Sequence, residues 1–445
     1  MKKLFFLALL SIQVAAGWSQ VAKDSVKERI AIPELRVNFN KSGTHYFKGT
    51  FLAQTWLRYS DFNPGTTIDG TPKQSYTDIG IRRWRVQAFG QLTDRIFFYT
   101  QFGQNNFSFL QPRGIGAFLH DVVTEFRIVK QLQIGGGLNG WGGMSRFSSP
   151  AVANIMGLDA PVYQQSTIGI SDQFGRNLSV YAKGEISKLN YRVSLGRPMS
   201  VRNSAVQIPQ INPVSDFSTE APQMQSDGYL FWQFFDKETT ILPYMSGTYL
   251  GKKKLLNLGV GWVQQNKAMW RTGMAGDTIR TNLLLLGADL FADFPVGKKG
   301  AAFNAYLAYN NFDFGKNYLR MSNAMNPANG VNAALASLNG SGVNFPMVGT
   351  GNVVFLQVGY KFKDDLLPDN GTLLPYIQVQ YSQFQALKEA AVMCEGGINW
   401  LIHGTHAGKL SLGLQNRPVF AMNSNSEAVN TARKNMLVLQ YQISF

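Results

Sequence analysis

The sequence has few of the features that usually stabilise a fold or anchor it in a membrane. Cysteine occurs once in 445 residues, at Cys394, so no disulfide can form within the chain. A helix needs ~20 apolar residues to cross a bilayer, and no stretch after the N-terminal segment reaches that length. The richest, Asn282 to Phe294, is interrupted by Asp289 and Asp293. The sequence therefore predicts neither a disulfide-stabilised fold nor a transmembrane helix.

Charged residues are also scarce, at 16%, whereas aromatic residues make up 13% and there are 44 glycines. This composition is typical of a β-rich chain with many turns and an apolar outer surface. The formal net charge is +15. An excess of basic residues can indicate binding to nucleic acid, to an acidic membrane surface or to small anions. Because the longest basic run is Lys252 to Lys254 and no nucleic-acid motif occurs, small anions are the favoured partners and nucleic acid is not expected.

The first 19 residues read as a secretory signal peptide. Lys2 and Lys3 precede the apolar segment Leu4 to Leu10, and small residues follow at Val14 to Gly17. The polar stretch 20–44 reads as a periplasmic lead-in, and 45–445 as one further domain. The mature chain is therefore expected to leave the cytoplasm.

The C-terminal stretch Arg433 to Phe445 alternates between apolar and polar residues. Leu437, Leu439, Tyr441 and Ile443 fall on one face with Phe445, and mostly polar residues fall on the other. Successive side chains of a strand point to opposite faces, so this period of two predicts a two-sided strand. A strand ending on an aromatic residue is a feature of outer-membrane barrels, although a soluble domain can end in the same way.

The same alternation recurs along the chain and predicts about 16 strands. The connections between them fall into two series, one mostly short and one mostly long, with the longer piece 237–254 an exception in the short series. The predicted long connections are 61–76, 106–118, 140–176, 198–227, 266–281, 315–351 and 418–432. Short turns on one rim and long loops on the other are typical of transmembrane barrels. The predicted fold is all-β, a transmembrane antiparallel up-and-down barrel with a polar, water-filled lumen.

Motifs for catalysis, cofactors or metals are weak. Gly135 to Gly140 fits the glycine spacing of a dinucleotide loop, but no helix follows it. His403 and His406 stand in a turn without further ligands, whereas a metal site usually needs three or four. The sequence predicts no enzyme, no cofactor and no metal.

Charged residues at inward positions are the candidate functional residues, because rings of fixed charge select ions in channels. The candidate pore-lining, anion-binding residues are Arg58, Arg83, Arg85, Arg127, Arg192 and Lys361. Arg83 and Arg85 stand two apart on one face without a carboxylate on their strand, and are the strongest pair. The alternative is that inward charges pair across strands and only hydrate the lumen.

The two longest connections are 140–176 and 315–351. The first carries Met144, Phe147, Ile155, Met156 and Leu158, which is too apolar for a free surface loop. It would bury these side chains either by folding into the lumen, where it would narrow the pore, or by packing over the outer rim.

Four features of the sequence belong together: the signal segment, Ile81 to Val86 with its three arginines, the stretch Gly247 to Gly261, and the terminal Phe445. Together they resemble bacterial outer-membrane porins, and in particular the phosphate-selective porin O/P type. The resemblance implies a trimeric 16-stranded anion channel, lined by arginine and lysine rows and narrowed by a long inward loop. Arg83 and Arg85 match the arginine motif on an early strand.

The functional prediction is an outer-membrane porin for passive diffusion of small hydrophilic solutes, with a preference for anions, phosphate among them. One alternative is a substrate-specific channel for sugars or apolar molecules, supported by inward Trp56, Tyr99 and Tyr181. Another is a barrel that acts as an adhesin or as the scaffold of a surface or secretion complex. The expected partners are outer-membrane lipid, small solutes, the barrel-insertion machinery and, from the resemblance, two further copies of the chain.

Overall fold

The computed structural model describes residues 34–111, 116–167, 175–198 and 211–445. The predicted signal peptide and most of the lead-in lie outside the described residues. Sixteen long strands dominate the described part. They are β1 Tyr46–Asp61, β2 Ser75–Gln91, β3 Ile96–Phe107, β4 Phe118–Val129, β5 Leu132–Asn139, β6 Asn177–Ile186, β7 Leu189–Arg197, β8 Gln225–Gln233, β9 Leu255–Thr272, β10 Thr278–Val296, β11 Ala301–Asp313, β12 Gly351–Lys361, β13 Thr372–Phe384, β14 Ala391–Ile402, β15 Gly408–Met422 and β16 Ala428–Ser444.

These strands close into one antiparallel barrel. Each pairs with the strands next to it in sequence, and β16 pairs with β1 from Leu52 opposite Ser444 to Ser60 opposite Met436. Closure leaves no long unpaired edge within the barrel. The predicted all-β fold and the strand number are confirmed. Among the described residues, no helix is both long enough and apolar enough to cross a membrane.

The seam between β1 and β16 is extended by a short segment of the lead-in. Phe51 and Phe445 exchange backbone hydrogen bonds of 2.9 and 3.1 Å, and their rings stack with centroids 5.5 Å apart. Beyond that point the strand Arg36–Asn38 pairs with the start of β1. It therefore continues the line of β16 and covers the edge of β1 that β16 leaves free.

Alternation sets which side chains face outward. On β12, Val354 and Leu356 are exposed, whereas Val353, Phe355 and Gln357 are buried. Exposed apolar side chains at alternate positions recur around the barrel, which gives it the apolar outer band of a membrane-spanning barrel. The predicted facing of the closing strand is confirmed.

The connections alternate between two rims, here called the turn rim and the loop rim. The loop rim has the long connections 62–74, 108–117, 140–176, 198–224 and 314–350. The prediction of long connections at 266–281 and 418–432 is wrong. Only residues 273–277 and 423–427 connect the strands there, and they form short turns. The flanking strands β9, β10, β15 and β16 run further than their apolar patterns, because their polar ends pair as hairpins beyond the apolar band.

Shorter elements lie in the connections. The remaining short strands are Thr66–Ile68, Thr71–Pro72, Asp216–Phe217, Leu319–Ser322, Gly330–Val331 and Phe345–Gly349, and the single-turn 3-10 helices are Arg146–Ser148, Val152–Asn154, Val162–Gln164 and Ala333–Leu335. Gly330–Val331 pairs with Thr66–Ile68, so two connections of the loop rim join in one small sheet.

The lumen is not uniformly polar, and the prediction of a water-filled interior is wrong for one half of it. Inward side chains of β9 to β14 pack with the connection 140–167 into an apolar core that includes Met144, Phe147, Leu283, Tyr306 and Phe355. On β10, Leu283 and Leu285 are buried in this core, whereas Leu284 and Leu286 are exposed on the outer face. Open space remains along the opposite wall.

Candidate functional site

The connection 140–176 enters the lumen, at least over its described part 140–167. Side chains of the wall donate to three of its backbone carbonyls: Gln54 to Val152 at 3.2 Å, Gln442 to Ala153 at 3.0 Å, and Lys409 to Ile155 at 2.9 Å. These donors lie on β1, β16 and β15. Of the two predicted arrangements, the one inside the lumen is confirmed, and we call residues 140–167 the inward loop.

Glycines on the wall allow the inward loop to approach the strands closely. A Cβ atom on Gly261 would lie 2.5 Å from the backbone oxygen of Met144, and one on Gly287 would lie 2.6 Å from the same atom. Real Cβ atoms do not approach so closely, so a larger residue at either position would displace the loop. The contact depends on the absence of a side chain at these inward positions.

A buried ion pair fixes the base of the inward loop. Both carboxylate oxygens of Glu238 accept from Arg146, at 2.8 and 2.6 Å, and both side chains are fully buried. The Arg146 guanidinium also lies 3.4 Å from the centroid of the Phe291 ring. Its backbone N–H donates to Asp289 on β10 at 2.8 Å. Removal of one partner would leave the other charge buried and unpaired.

The connection 234–254, which belongs to the turn rim, also folds inward. Met245 and Ser149 bond through their backbones at 2.8 Å, and Thr248 donates to the Asn154 carbonyl at 3.0 Å. Asp293 on β10 accepts from the backbone of Tyr249 at 2.7 Å. The sequence had placed this segment along the rim. Segments from opposite rims instead meet within the barrel.

Between these segments and the strands β1 to β3 lies a cavity of about 540 Å³, which we call the arginine cavity. Its lining includes Ser444, near the turn rim, and Asn323, from a connection of the loop rim, so it extends along the barrel axis. The charged side chains among its described lining residues are Arg82, Arg83, Arg85 and Arg176; none of them is a carboxylate. The electrostatic potential in the cavity is therefore set mainly by guanidinium groups.

A β-bulge brings two consecutive arginines to the same side. In the pairing of β1 with β2, Gln54 lies opposite Arg83 and Thr55 lies opposite Ile81, so Arg82 is an extra residue. Arg82 and Arg83 are both buried on the lumen side. A second bulge, between β3 and β4, makes His120 the extra residue beside Asp121. Bulges re-aim side chains, and here they increase the number of polar groups at one level of the lumen.

Asp159 of the inward loop bridges Arg82 and Arg83. Its Oδ2 accepts from Arg82 Nε at 2.9 Å, and its Oδ1 accepts from Arg83 Nη2. Arg82 also donates to Asn106, and Arg83 to Gln54. Burial alone would raise the pKa of Asp159, but the two guanidinium groups outweigh it and lower the pKa below the ordinary range of a carboxyl group. One negative charge therefore faces two positive charges.

Arg85 and Arg176 form the second cationic pair. Arg85 donates to the carbonyls of Trp84 and Gln104, each at 2.7 Å, and to the side-chain oxygen of Asn105. These oxygens are neutral, and within the described part of the chain Arg85 forms no ion pair. Arg176 lies 3.5 Å from the Asp121 carboxylate and donates to the Tyr244 hydroxyl at 3.0 Å. The four arginines of the cavity therefore have two carboxylate neighbours, Asp159 and Asp121.

The other predicted site residues lie elsewhere, away from the lining of the arginine cavity. Arg58 is buried in a bidentate pair with Asp78, at 2.6 and 2.8 Å. Arg192 donates to the Pro243 carbonyl, and Lys361 bonds Asp364 at the turn rim. Arg127 is exposed at the turn rim, where it lines a separate cavity of about 130 Å³. Of the six, only Arg83 and Arg85 meet at one site.

Three residues of the site were not predicted. Strict alternation places Arg82 outward, and the bulge that turns it inward leaves no clear mark in the sequence. Asp159 reaches the cavity on the inward loop, and Arg176 reaches it from the C-terminal end of the connection 140–176. The three arginines within Ile81 to Val86 were the one available signal.

Trp56, Tyr99 and Tyr181 are buried against other side chains of the barrel. Trp56 is buried and donates to Gln440 at 2.7 Å, and Tyr181 donates to Glu125 at 2.9 Å. Tyr99 is buried beside Tyr244, with ring centroids 6.0 Å apart. Among the described residues, no three His, Cys, Asp or Glu side chains are grouped as metal ligands.

No model of a protein family matches the chain, and no curated protein sequence matches it. Solved structures match in fold. Salmonella typhi OmpF, in a complex with daunomycin, is 9% identical; the match covers 90% of this chain and 98% of that chain, with a TM-score of 0.50. An anion-selective porin from Comamonas acidovorans is 10% identical, with 90% and 100% covered and a TM-score of 0.47. A variant of the Rh. blastica porin is 11% identical, with the same coverage and a TM-score of 0.45. The chain therefore shares the barrel architecture of OmpF, and at this identity the likeness is one of fold.

Proposed function

We propose that the protein is an outer-membrane porin that lets small hydrophilic solutes diffuse through the arginine cavity, with a preference for anions. The observation that carries the proposal is the charge of the cavity lining, which consists of Arg82, Arg83, Arg85 and Arg176. Fixed positive charge in a low-dielectric passage raises the local anion concentration and disfavours cations. Inorganic anions, phosphate among them, are the simplest solutes that fit this chemistry.

The path follows the wall formed by β1 to β3. The apolar core on β9 to β14 and the two inward segments fill much of the remaining lumen. A narrow, one-sided path strengthens the influence of the wall charges, because a solute passes within a Debye length of ~8 Å of them at physiological salt. Arg58, Arg127, Arg192 and Lys361 then act at a distance or at the turn rim, and Arg83 and Arg85 act directly.

The proposed function also requires export of the chain and its assembly in the outer membrane. The segment 1–19 directs export, outer-membrane lipid surrounds the apolar band, and the insertion machinery assembles the barrel through its closing strand. The known assembly of the porins that the sequence resembles makes a homotrimer the expected form.

The experiment that tests the proposal is reconstitution of the purified protein in a planar bilayer under a potassium chloride gradient. We expect discrete conductance steps and a zero-current potential of the sign that chloride selectivity gives. A protein that inserts but gives no conductance would overturn the channel and favour the scaffold or adhesin alternative. A zero-current potential of the opposite sign would overturn the anion preference.

A further inference from the structure

We infer that the arginine cavity takes amphiphilic monocarboxylates, that is, small organic anions with an apolar body, in preference to equally charged polar anions. This inference rests on the proposed function and names the solute class of the same site. It depends on how the lining is divided between the two sides of the cavity.

The two sides of the cavity differ in chemistry. The strand side carries Arg82, Arg83 and Arg85 together with Gln87, Gln101, Asn105 and Asn106. Arg176 comes from the end of the connection 140–176 and donates to Tyr244 of the connection 234–254. The opposite side is formed by the inward loop, by the connection 234–254 and by residues 322–324, and no charged side chain occurs among its described lining residues. Its apolar members include Val152, Val162 and Leu242, which are half-buried and therefore still present surface to the cavity. A solute in the cavity thus meets guanidinium groups on the strand side. On the other side it meets apolar side chains interspersed with polar ones such as Asn154 and Gln165.

A carboxylate can bind on the strand side without breaking an existing ion pair. Arg82 and Arg83 are already held by Asp159, but Arg85 bonds only neutral oxygens among the described residues. A guanidinium group binds a carboxylate through two parallel N–H donors, which is stronger than bonds to neutral acceptors. Arg85 is therefore the arginine that can bind a carboxylate without displacing another one.

The apolar side adds binding energy only for solutes with apolar surface. A short alkyl chain next to Val152, Val162 and Leu242 leaves water on entry, and each buried methylene group strengthens binding several-fold. A polar anion of the same size gains nothing there and loses part of its hydration. Ligand sites commonly combine mostly apolar walls with a few charged groups that orient the ligand.

Butyrate and lactate test the inference, because both are monovalent carboxylates with six non-hydrogen atoms. Each is added to the reconstituted channel, and the concentration that halves the chloride current is measured. For the native protein we expect butyrate to act at a concentration about tenfold below that of lactate, as burial of one to two methylene groups predicts. Equal concentrations would overturn the inference while leaving anion selectivity, and with it the proposed function, intact.

Variants separate the apolar wall from a general effect of hydrophobic anions on the membrane. In Leu242→Asn combined with Val152→Asn, butyrate and lactate should halve the chloride current at similar concentrations. The sign of the zero-current potential should not change. The control is Leu335→Asn, an exposed leucine of the loop rim that does not line the cavity, and it should leave the tenfold ratio in place. If the tenfold ratio between lactate and butyrate is unchanged in the Leu242 and Val152 variant, the preference for butyrate does not arise at this wall, and the inference is overturned.

Discussion

Arg83, on the barrel wall, and Asp159, on the inward loop, form an ion pair in which the guanidinium Nη2 donates to Oδ1. The same carboxylate holds Arg82 through its other oxygen. One loop residue therefore does two things. It fixes the loop at the level of the β2 bulge, and it neutralises only part of the positive charge gathered there. The selectivity and the shape of the cavity are consequently coupled.

Acid should weaken the protein through Asp159. Because its pKa is lowered in the folded protein, the ionised carboxylate contributes stability above the ordinary pKa of about 4. That contribution is lost as the pH falls through the folded-state pKa. Urea unfolding in detergent should therefore show a decline in stability below about pH 4 to which Asp159 contributes. In Asp159→Asn the decline should be smaller; a decline equal to that of the native protein would show that other carboxylates govern it.

Removal of Arg146 should destabilise the barrel strongly. Arg146→Ala leaves Glu238 buried without its partner, and broken buried pairs cost about 3–5 kcal/mol. The matched change is Arg280→Ala, which breaks the exposed pair with Glu220 and should leave the free energy of unfolding nearly unchanged. The free energy of unfolding of both variants can be measured by urea unfolding followed by tryptophan fluorescence. If the two variants are equally stable, the ion pair does not anchor the inward loop.

Gly287 should resist substitution because the inward loop passes directly over it. In Gly287→Ala the new Cβ would overlap the Met144 carbonyl, and overpacking of this kind costs about 1–3 kcal/mol. Gly396→Ala is the control, since its nearest neighbouring atom is 3.9 Å from the Cβ position. An unfolding free energy that is unchanged in Gly287→Ala would mean that the loop does not lie against β10.

The outer surface can be tested on a single strand. Leu356→Arg places a charge in the apolar band and should cost about 2–4 kcal/mol if the site is near the middle of the bilayer. Asn352→Arg lies on the same face near the loop rim, where the cost falls to about 0–1 kcal/mol. Assembly can be followed by heat-modifiable gel mobility. Similar behaviour of the two variants would contradict the position of the band on β12.

The sequence predicted the barrel well, because the period-two pattern reports directly which residues face lipid. The division of the connections into a short and a long series predicted the two rims. It was wrong at 266–281 and 418–432, where the polar ends of strands resemble loops in sequence. The apolar filling of one half of the lumen was missed, because alternation identifies the two faces of a strand but not what covers the inner one. The path of a long connection depends on many distant contacts, such as those of Met144 and Asp159, which no local pattern encodes.

The candidate site was predicted only in part for the same reason. Arg83 and Arg85 could be found, because they share a face of one strand. Arg82 required the bulge, Asp159 required the path of the inward loop, and Arg176 required the position of the C-terminal end of the connection 140–176. Arg58 faces inward as predicted, but Asp78 on the neighbouring strand neutralises it. Pairing across strands cannot be read before the register is known.

Whether Arg83 and Arg85 give the channel its selectivity can be decided from the zero-current potential across a salt gradient for Arg83→Gln combined with Arg85→Gln. We expect the native channel to prefer anions and this double variant to move toward zero selectivity. Both potentials should shrink at 1 M salt, where the Debye length is ~3 Å. Lys298→Gln with Lys299→Gln removes the same charge from the exposed turn rim and should stay close to native. A native channel that prefers cations, or a double variant with unchanged anion preference, would contradict the account.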